Sequence, residues 1–208
     1  MDGTAGTKID LKKELDAYRA RRGEFRVVDV PPMRYLMLDG HGDPNSSPEF
    51  AESVESLYPL AYAMKFASKR ALGRDYVVPP LEGLWWADDM TAFTSARDTS
   101  AWEWTLMLMV PEWLDGAACA AAVAQVRAKG GAPRLDEVRF EELAEGLCVQ
   151  TLHVGSFDDE GPVLDRMHGE FIPGQGLTLA GKHHEIYLSD FRRVAPEKQR
   201  TILRQPVV

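Results

Sequence analysis

With 208 residues and 45% hydrophobic side chains, the chain is long enough to enclose a sizeable core as one large or two small globular units. Its 24 Lys+Arg against 32 Asp+Glu leave a formal charge of -8, which argues against a nucleic-acid partner because a phosphate backbone needs a basic footprint. Two cysteines, Cys119 and Cys148, lie in segments rich in Ala, Val and Leu and read as buried thiols, not as a disulfide framework.

Residues 1–7 read as a disordered start, and the N-terminal stretch is too polar for a signal peptide. No apolar run approaches the roughly 18 residues that span a bilayer, so a cytoplasmic location and no membrane partner are expected. Lys8 to Arg22 carries Leu11, Leu15 and Tyr18 on one stripe, the pattern of a short helix. FRVVDVPPMRYLMLD (25–39) predicts two strands joined at Pro31-Pro32, and Gly40 and Gly42 end the pattern. Ser47 as N-cap, Pro48 at the first helical position and Glu49 in the first turn predict a helix to Leu72, stopped by Gly73. Its apolar stripe includes Phe50, Val54, Leu57, Leu60 and Met64; Pro59 predicts a kink, and Tyr58 and Tyr62 lie one turn apart beside the stripe.

Two strands are predicted in LEGLWWADD (81–89) and SAWEWTLMLMVP (100–111), linked by a polar loop of hairpin-like length. Trp85 and Trp86 point to opposite faces, whereas Trp102 and Trp104 share one. Gly116 to Lys129 is an alanine-rich helix closed by Gly130-Gly131. EVRFEEL and GLCVQTLHVG (137–155) read as a strand pair, followed by helical signals from Asp158 to Phe171. The strand in GKHHEIYLSD comes next, then a short helix from Pro196 and a closing LRQPV segment.

The order strand, glycine, helix, strand ending in acid occurs twice: MRYLMLDG to LWWADD, and CVQTLHVG to EIYLSD. Aligning the copies sets Leu84 against Glu185 and Trp86 against Tyr187, and two such α+β units pairing their sheets about a pseudo-twofold axis leave a cleft between them. On this register Trp86 and Tyr187 face each other across the cleft. Within the last strand His184, Ile186 and Leu188 share one face and Glu185 and Tyr187 the other.

The motifs MRYLMLDGHGDPN (33–45), LWW with WEWTLMLM, and KHHEIYLSDFRRVAPEKQRTILRQPV (182–207) resemble the GyrI-like small-molecule-binding family. The resemblance implies an α+β fold of duplicated β-α-β-β modules, a single domain over 8–208 with repeats at about 25–130 and 131–208. The family includes effector domains of multidrug-sensing regulators, which hold a buried glutamate among aromatic rings, and proteins resembling hydrolases that open the cyclopropane of DNA-alkylating natural products. Glu185 matches the family's pocket glutamate. The resemblance then implies Glu185 and Tyr187 as catalytic residues, and Trp86, Trp104, Tyr62, Trp102 and Met64 as ligand contacts. About 25 residues before the first strand are too few for a helix-turn-helix module, so direct control of transcription is not expected.

Each assignment has a plainer counterpart. Glu185 on composition alone reads as a surface carboxylate on an edge strand, since glutamate is almost never buried unpaired; the motif reverses that preference. His183 and His184 are adjacent on a strand and point to opposite faces, so they cannot chelate one ion, and no Cys or His spacing resembles a zinc site. His153 and His168 read as satisfied structural residues. No metal and no cofactor are called for, and the expected partners are planar hydrophobic or cationic small molecules, with the chain a monomer or weak homodimer. Hydrolysis of cyclopropanoid electrophiles and non-catalytic sequestration of planar cations both use the same residues.

Overall fold

The computed structural model describes residues 8–87, 99–190 and 192–208. The polar loop expected between the two tryptophan-rich strands and the start at 1–7 lie outside the described residues. The strands are β1 (Arg26–Val30), β2 (Met33–His41), β3 (Leu81–Trp86), β4 (Glu103–Val110), β5 (Arg139–Leu143), β6 (Gly146–Val154), β7 (His183–Tyr187) and β8 (Arg200–Pro206). All pair antiparallel in the order β1-β6-β8-β7-β3-β4-β2-β5.

Two short links force this sheet to curl. Only Pro31 and Pro32 join β1, at one edge, to β2, six strand positions away. In a flat sheet six spacings are about 29 Å, whereas three Cα steps reach at most about 11 Å. Ala144 and Glu145 make the same short link from β5 to β6. The edges therefore approach each other, and Met33 of β2 packs on Val28, Val30 and Cys148 of the far edge. The sequence pattern correctly marks 139–143 and 146–154 as strands, but they do not pair: each extends the opposite half of the sheet.

Helix α2 (Pro48–Leu72) and helix α3 (Gly116–Ala128) cover the β2-β4-β3 half through Leu36, Leu38, Leu106, Leu108, Leu57, Leu60, Met64 and Trp104. Gly73 takes a left-handed conformation (φ 66°) that ends α2, and Pro59 lies inside it. Ser47 stands at the N-cap position without a side-chain capping bond, whereas Asp115 caps α3 by accepting from the Ala118 amide at 2.9 Å. On the β6-β8 half, α4 (Gly161–Arg166) continues through a π-helical turn (Met167–Phe171) into α5 (Ile172–Gly174), packing Met167 and Ile172 on Val149 and Leu203. No helix among the described residues is long and apolar enough to cross a membrane.

The other, enclosed face of the sheet joins residues of both halves into one cluster, with Tyr35, Met37, Met107, Ile186 and Ile202 packed around Leu11 and Tyr18. The N-terminal segment reaches this interior with one helical turn, α1 (Leu11–Glu14), and a 3-10 turn (Asp16–Tyr18) instead of the continuous helix predicted from its periodicity. Buried polar pairing holds it there. Tyr18 Oη donates to Glu82 Oε1 (2.5 Å), Glu82 Oε2 faces His184 Nε2 (2.9 Å), His184 Nδ1 faces Glu145 Oε1 (2.9 Å), and Arg204 donates to Glu145, Gln150 and the Ala17 carbonyl. With a carboxylate on each ring nitrogen, His184 carries both protons. Burial alone would lower its pKa, but Glu145 and Glu82 overcome that and raise it.

Candidate functional site

Strand alternation sends His183, Glu185 and Tyr187 of β7 to the helix face, opposite His184 and Ile186. The neighbouring strand β3 sets Gly83 beside Glu185 and Trp85 beside His183. The missing side chain at Gly83 makes the room: a Cβ there would lie 2.8 Å from Trp85 Nε1 and 3.0 Å from Tyr187 Oη. Across that gap Trp85 Nε1–H donates to Tyr187 Oη (3.0 Å), and Tyr187 Oη–H donates to Glu185 Oε2 (2.8 Å). Burial, then the Glu185 charge, pushes the Tyr187 phenol well above its ordinary pKa, so it remains a donor.

The second oxygen of Glu185, Oε1, is 3.6 Å from His183 Nε2, too long for a hydrogen bond. Glu160, at the start of α4, is buried and shares a hydrogen bond with Glu185. Burial, then the charge of Glu185 and a hydrogen bond with it, drive the Glu160 carboxyl well above the usual carboxylate range. His168, on the π-helical turn, lies with its ring centroid 6.2 Å from that of His183. Burial, then His183, lowers the His168 imidazole to about 4, leaving it neutral at physiological pH. Glu160 Oε1, His168 Nε2 and both ring nitrogens of His183 are buried without a hydrogen-bond partner. Buried polar atoms are seldom left so, and of these side chains His183 and Glu160 lie beside Glu185.

Aromatic rings flank this polar floor. Phe50 of α2 stacks on Trp85 at 6.4 Å, Trp102 meets Trp85 edge-on at 5.8 Å, and Phe157 meets Tyr187 edge-on at 5.7 Å. Beside Tyr187 a cavity of about 650 Å³ opens between Tyr58 and Tyr62 of α2 and Leu188, Ser189, Asp190 and Arg192, a size that suits a drug-like molecule.

Of the residues expected at the site, Glu185 and Tyr187 form its floor, Trp102 stands on its aromatic edge, and Tyr62, 45% exposed, lines the cavity mouth stacked on Tyr58. Three lie elsewhere. Trp86 points to the enclosed side of the sheet beneath Lys182, whose Nζ is 3.0 Å from the ring centroid, so it does not face Tyr187. The cause is a one-residue slip: Gly83, not Leu84, is level with Glu185, and a slip of one exchanges the faces of every side chain. Trp104 is wholly buried against Phe50 and over the Gly40 backbone, where a Cβ would lie 2.1 Å from its ring. Met64 is wholly buried in the same core. His153 is satisfied by the Ser156 carbonyl at 2.9 Å, as expected, but His168 is not.

Trp85, Gly83, His183, Glu160 and His168 are the members that sequence reasoning missed. Trp85 was reachable from strand parity with the correct register. Glu160 and His168 carried no local signal, because they flank α4 in a segment separate from β7 and meet it only through the fold. Among the described residues no group of three or more His, Cys, Asp or Glu could hold a metal ion.

Residues 23–207 match the family model of the GyrI-like small molecule binding domain. Two solved structures from Listeria innocua are similar over 97% of this chain and 100% of theirs: an uncharacterized conserved protein (39% identity, TM-score 0.87) and a hydrolase (38% identity, TM-score 0.86). The C-terminal domain of EcmrR, at 10% identity and a TM-score of 0.51, shares the fold alone. No curated protein sequence matches the chain. The curled antiparallel sheet with helices on one face thus agrees with a match over nearly the whole length, and the chain belongs to the GyrI-like small-molecule-binding family.

Proposed function

We propose that the protein binds planar hydrophobic or aromatic molecules in the cavity beside Tyr187, and hydrolyses strained electrophiles among them such as cyclopropanoid alkylating compounds. The observation that carries this reading is the Glu185 carboxylate, bonded through one oxygen to Tyr187, which lines the cavity, with its other oxygen 3.6 Å from His183 Nε2. A largely buried carboxylate held in place by Tyr187 is a competent base toward water. The similarity to a hydrolase at 38% identity points the same way.

In this reading Glu185 takes a proton from a water whose oxygen attacks the strained ring carbon. A C–O bond forms as the ring C–C bond breaks, and the electron pair passes to a conjugated carbonyl. Tyr187 orients Glu185, Trp85 orients Tyr187, and the Trp85, Phe50 and Phe157 rings hold the flat ligand. Ring strain supplies much of the driving force, so a positioned base suffices.

Glu185→Gln keeps the shape but cannot accept a proton. Turnover of a cyclopropane spiro-fused to a cyclohexadienone should fall about 10²–10⁴-fold, with KM nearly unchanged. If the wild type shows no turnover while this substitution weakens binding of a planar cationic dye, the cleft sequesters cations, with Glu185 as counter-charge. If the substitution alters neither hydrolysis nor binding, Glu185 has no part in the site.

A further inference from the structure

Glu160 is absent from the motif-based site, yet its geometry gives it a task. It is 4% exposed, stands at the start of α4 directly after the Phe157 turn that packs on Tyr187, and shares a hydrogen bond with Glu185 of β7, while its own Oε1 and both ring nitrogens of His183 lack partners. We propose that Glu160 is a second catalytic residue, the acid that delivers a proton to the oxygen gaining the electron pair as the substrate's bond opens. This rests on the hydrolytic reading of the cleft and names its substrate class: neutral electrophiles that release a basic oxygen, such as an enolate or phenolate, and so need protonation as they open.

Two adjoining carboxyl groups in an apolar cleft cannot both ionise, because the second charge would be desolvated against the first. One is therefore an acid and the other a base. The Tyr187 hydroxyl donates to Glu185, which makes Glu185 the accepting member of the pair. Glu160 has no such donor on Oε1 and keeps the proton. The remaining titratable groups facing the pair are the His183 and Tyr187 side chains from β7 and His168 from the π-helical turn. His168, lowered to about 4, is too weak a base to take the proton from Glu160, and Tyr187, raised well above its ordinary pKa, remains a donor.

The proton balance closes within the site. Water loses one proton to Glu185 as its oxygen bonds to the electrophilic carbon. The strained bond breaks, and the oxygen at the far end of the conjugated system receives the proton of Glu160. Substrate and one water become one product, and Glu160 is left as carboxylate with Glu185 protonated. Because the two groups share a hydrogen bond, one proton moving from Glu185 to Glu160 restores the starting state.

Glu160→Gln, Glu160→Asp and Glu185→Gln should be compared on spiro-cyclopropyl cyclohexadienones whose ring substituents progressively lower the basicity of the released phenolate. Glu160→Gln should lower kcat about 10²–10³-fold on the parent compound and progressively less on the activated ones, with KM steady, and should remove the alkaline fall of the pH–rate profile. Glu160→Asp, still an acid, should recover part of the rate. Glu185→Gln should instead slow every member alike. Infrared difference spectra without substrate supply an independent arm: the carbonyl band of a protonated buried carboxyl should be present in the wild type at pH 7 and lost in Glu160→Gln. A uniform loss across the series for Glu160→Gln, a change confined to KM, or a band that survives this substitution overturns the assignment. Retention of the band in a wild type that turns over none of the compounds refutes the hydrolytic reading, and with it the catalytic role, while leaving the shared proton in place.

Discussion

Gly83→Ala tests the construction of the site without touching any of its functional groups. The backbone there is compatible with alanine, so any effect is steric. The new methyl would stand 2.8 Å from Trp85 Nε1 and 3.0 Å from Tyr187 Oη, when ordinary contact needs about 0.5 Å more. Neither ring can yield freely: Trp85 has Phe50 and Trp102 against it, and Tyr187 has Phe157. Overpacking of this kind costs about 1–3 kcal/mol, and loosening the Trp85–Tyr187 hydrogen bond adds about 0.5–1.5 kcal/mol. The variant should remain folded, with a urea midpoint lowered in proportion to a loss of about 2–4 kcal/mol. Displacing Tyr187 also releases its hold on Glu185, and a misplacement near 1 Å is worth about 10²-fold in rate. Gly174→Ala, where a Cβ meets nothing within 4 Å, is the control and should match the wild type. If Gly83→Ala unfolds at the wild-type midpoint and keeps wild-type turnover and ligand affinity, the Trp85–Tyr187–Glu185 chain does not organise the cleft.

The two adjacent tryptophans should separate cleanly in a binding assay. Trp85→Ala should weaken a planar aromatic ligand by about 1–3 kcal/mol, the scale of a lost stacking partner, whereas Trp86→Ala should leave its affinity unchanged; equal effects from both, followed by calorimetry, would refute the face assignment. The enclosed network predicts a pH optimum of stability. Burial would raise Glu145, but His184 and Arg204 hold it at about 2, so its contribution is present above 4.5 and fades as pH falls toward 2. His184 is raised above 6.5, so its contribution is full below 6.5 and fades as pH climbs through the folded value. Urea midpoints should therefore peak between about 4.5 and 6.5, and Glu145→Gln should remove the acid decline; a wild-type midpoint unchanged from pH 5 to pH 2.5 would show that the network contributes nothing.

Much of this molecule is legible in one dimension, because local chemistry acts locally. Pro48 and Gly73 bracket α2, Gly130-Gly131 follow α3, and short runs rich in apolar residues mark most of the strands. Strand alternation sets His184 and Ile186 against Glu185 and Tyr187, and so identifies the two floor residues before any fold is known. Pairing is different. Pro31-Pro32 and Ala144-Glu145 are as short as hairpin turns, yet they cross the opening of a curled sheet, since only closure of the whole sheet brings their ends together. The N-terminal periodicity is that of a helix, but docking of Tyr18 onto Glu82 and of Arg204 onto Ala17 breaks it into turns.

The site divides along the same line. Parity along β7 needs no neighbours, so the sequence by itself determined that Glu185 and Tyr187 share a face. The register between β3 and β7 depends on packing across the whole sheet, and a single-residue error there exchanged Trp85 for Trp86. The approach of Glu160 and His168 depends on how α4 and the π-helical turn lie against β7, which no spacing encodes. Tertiary structure alone decided that a second carboxyl meets the first, because a desolvated pair exists only after distant segments exclude the water between them.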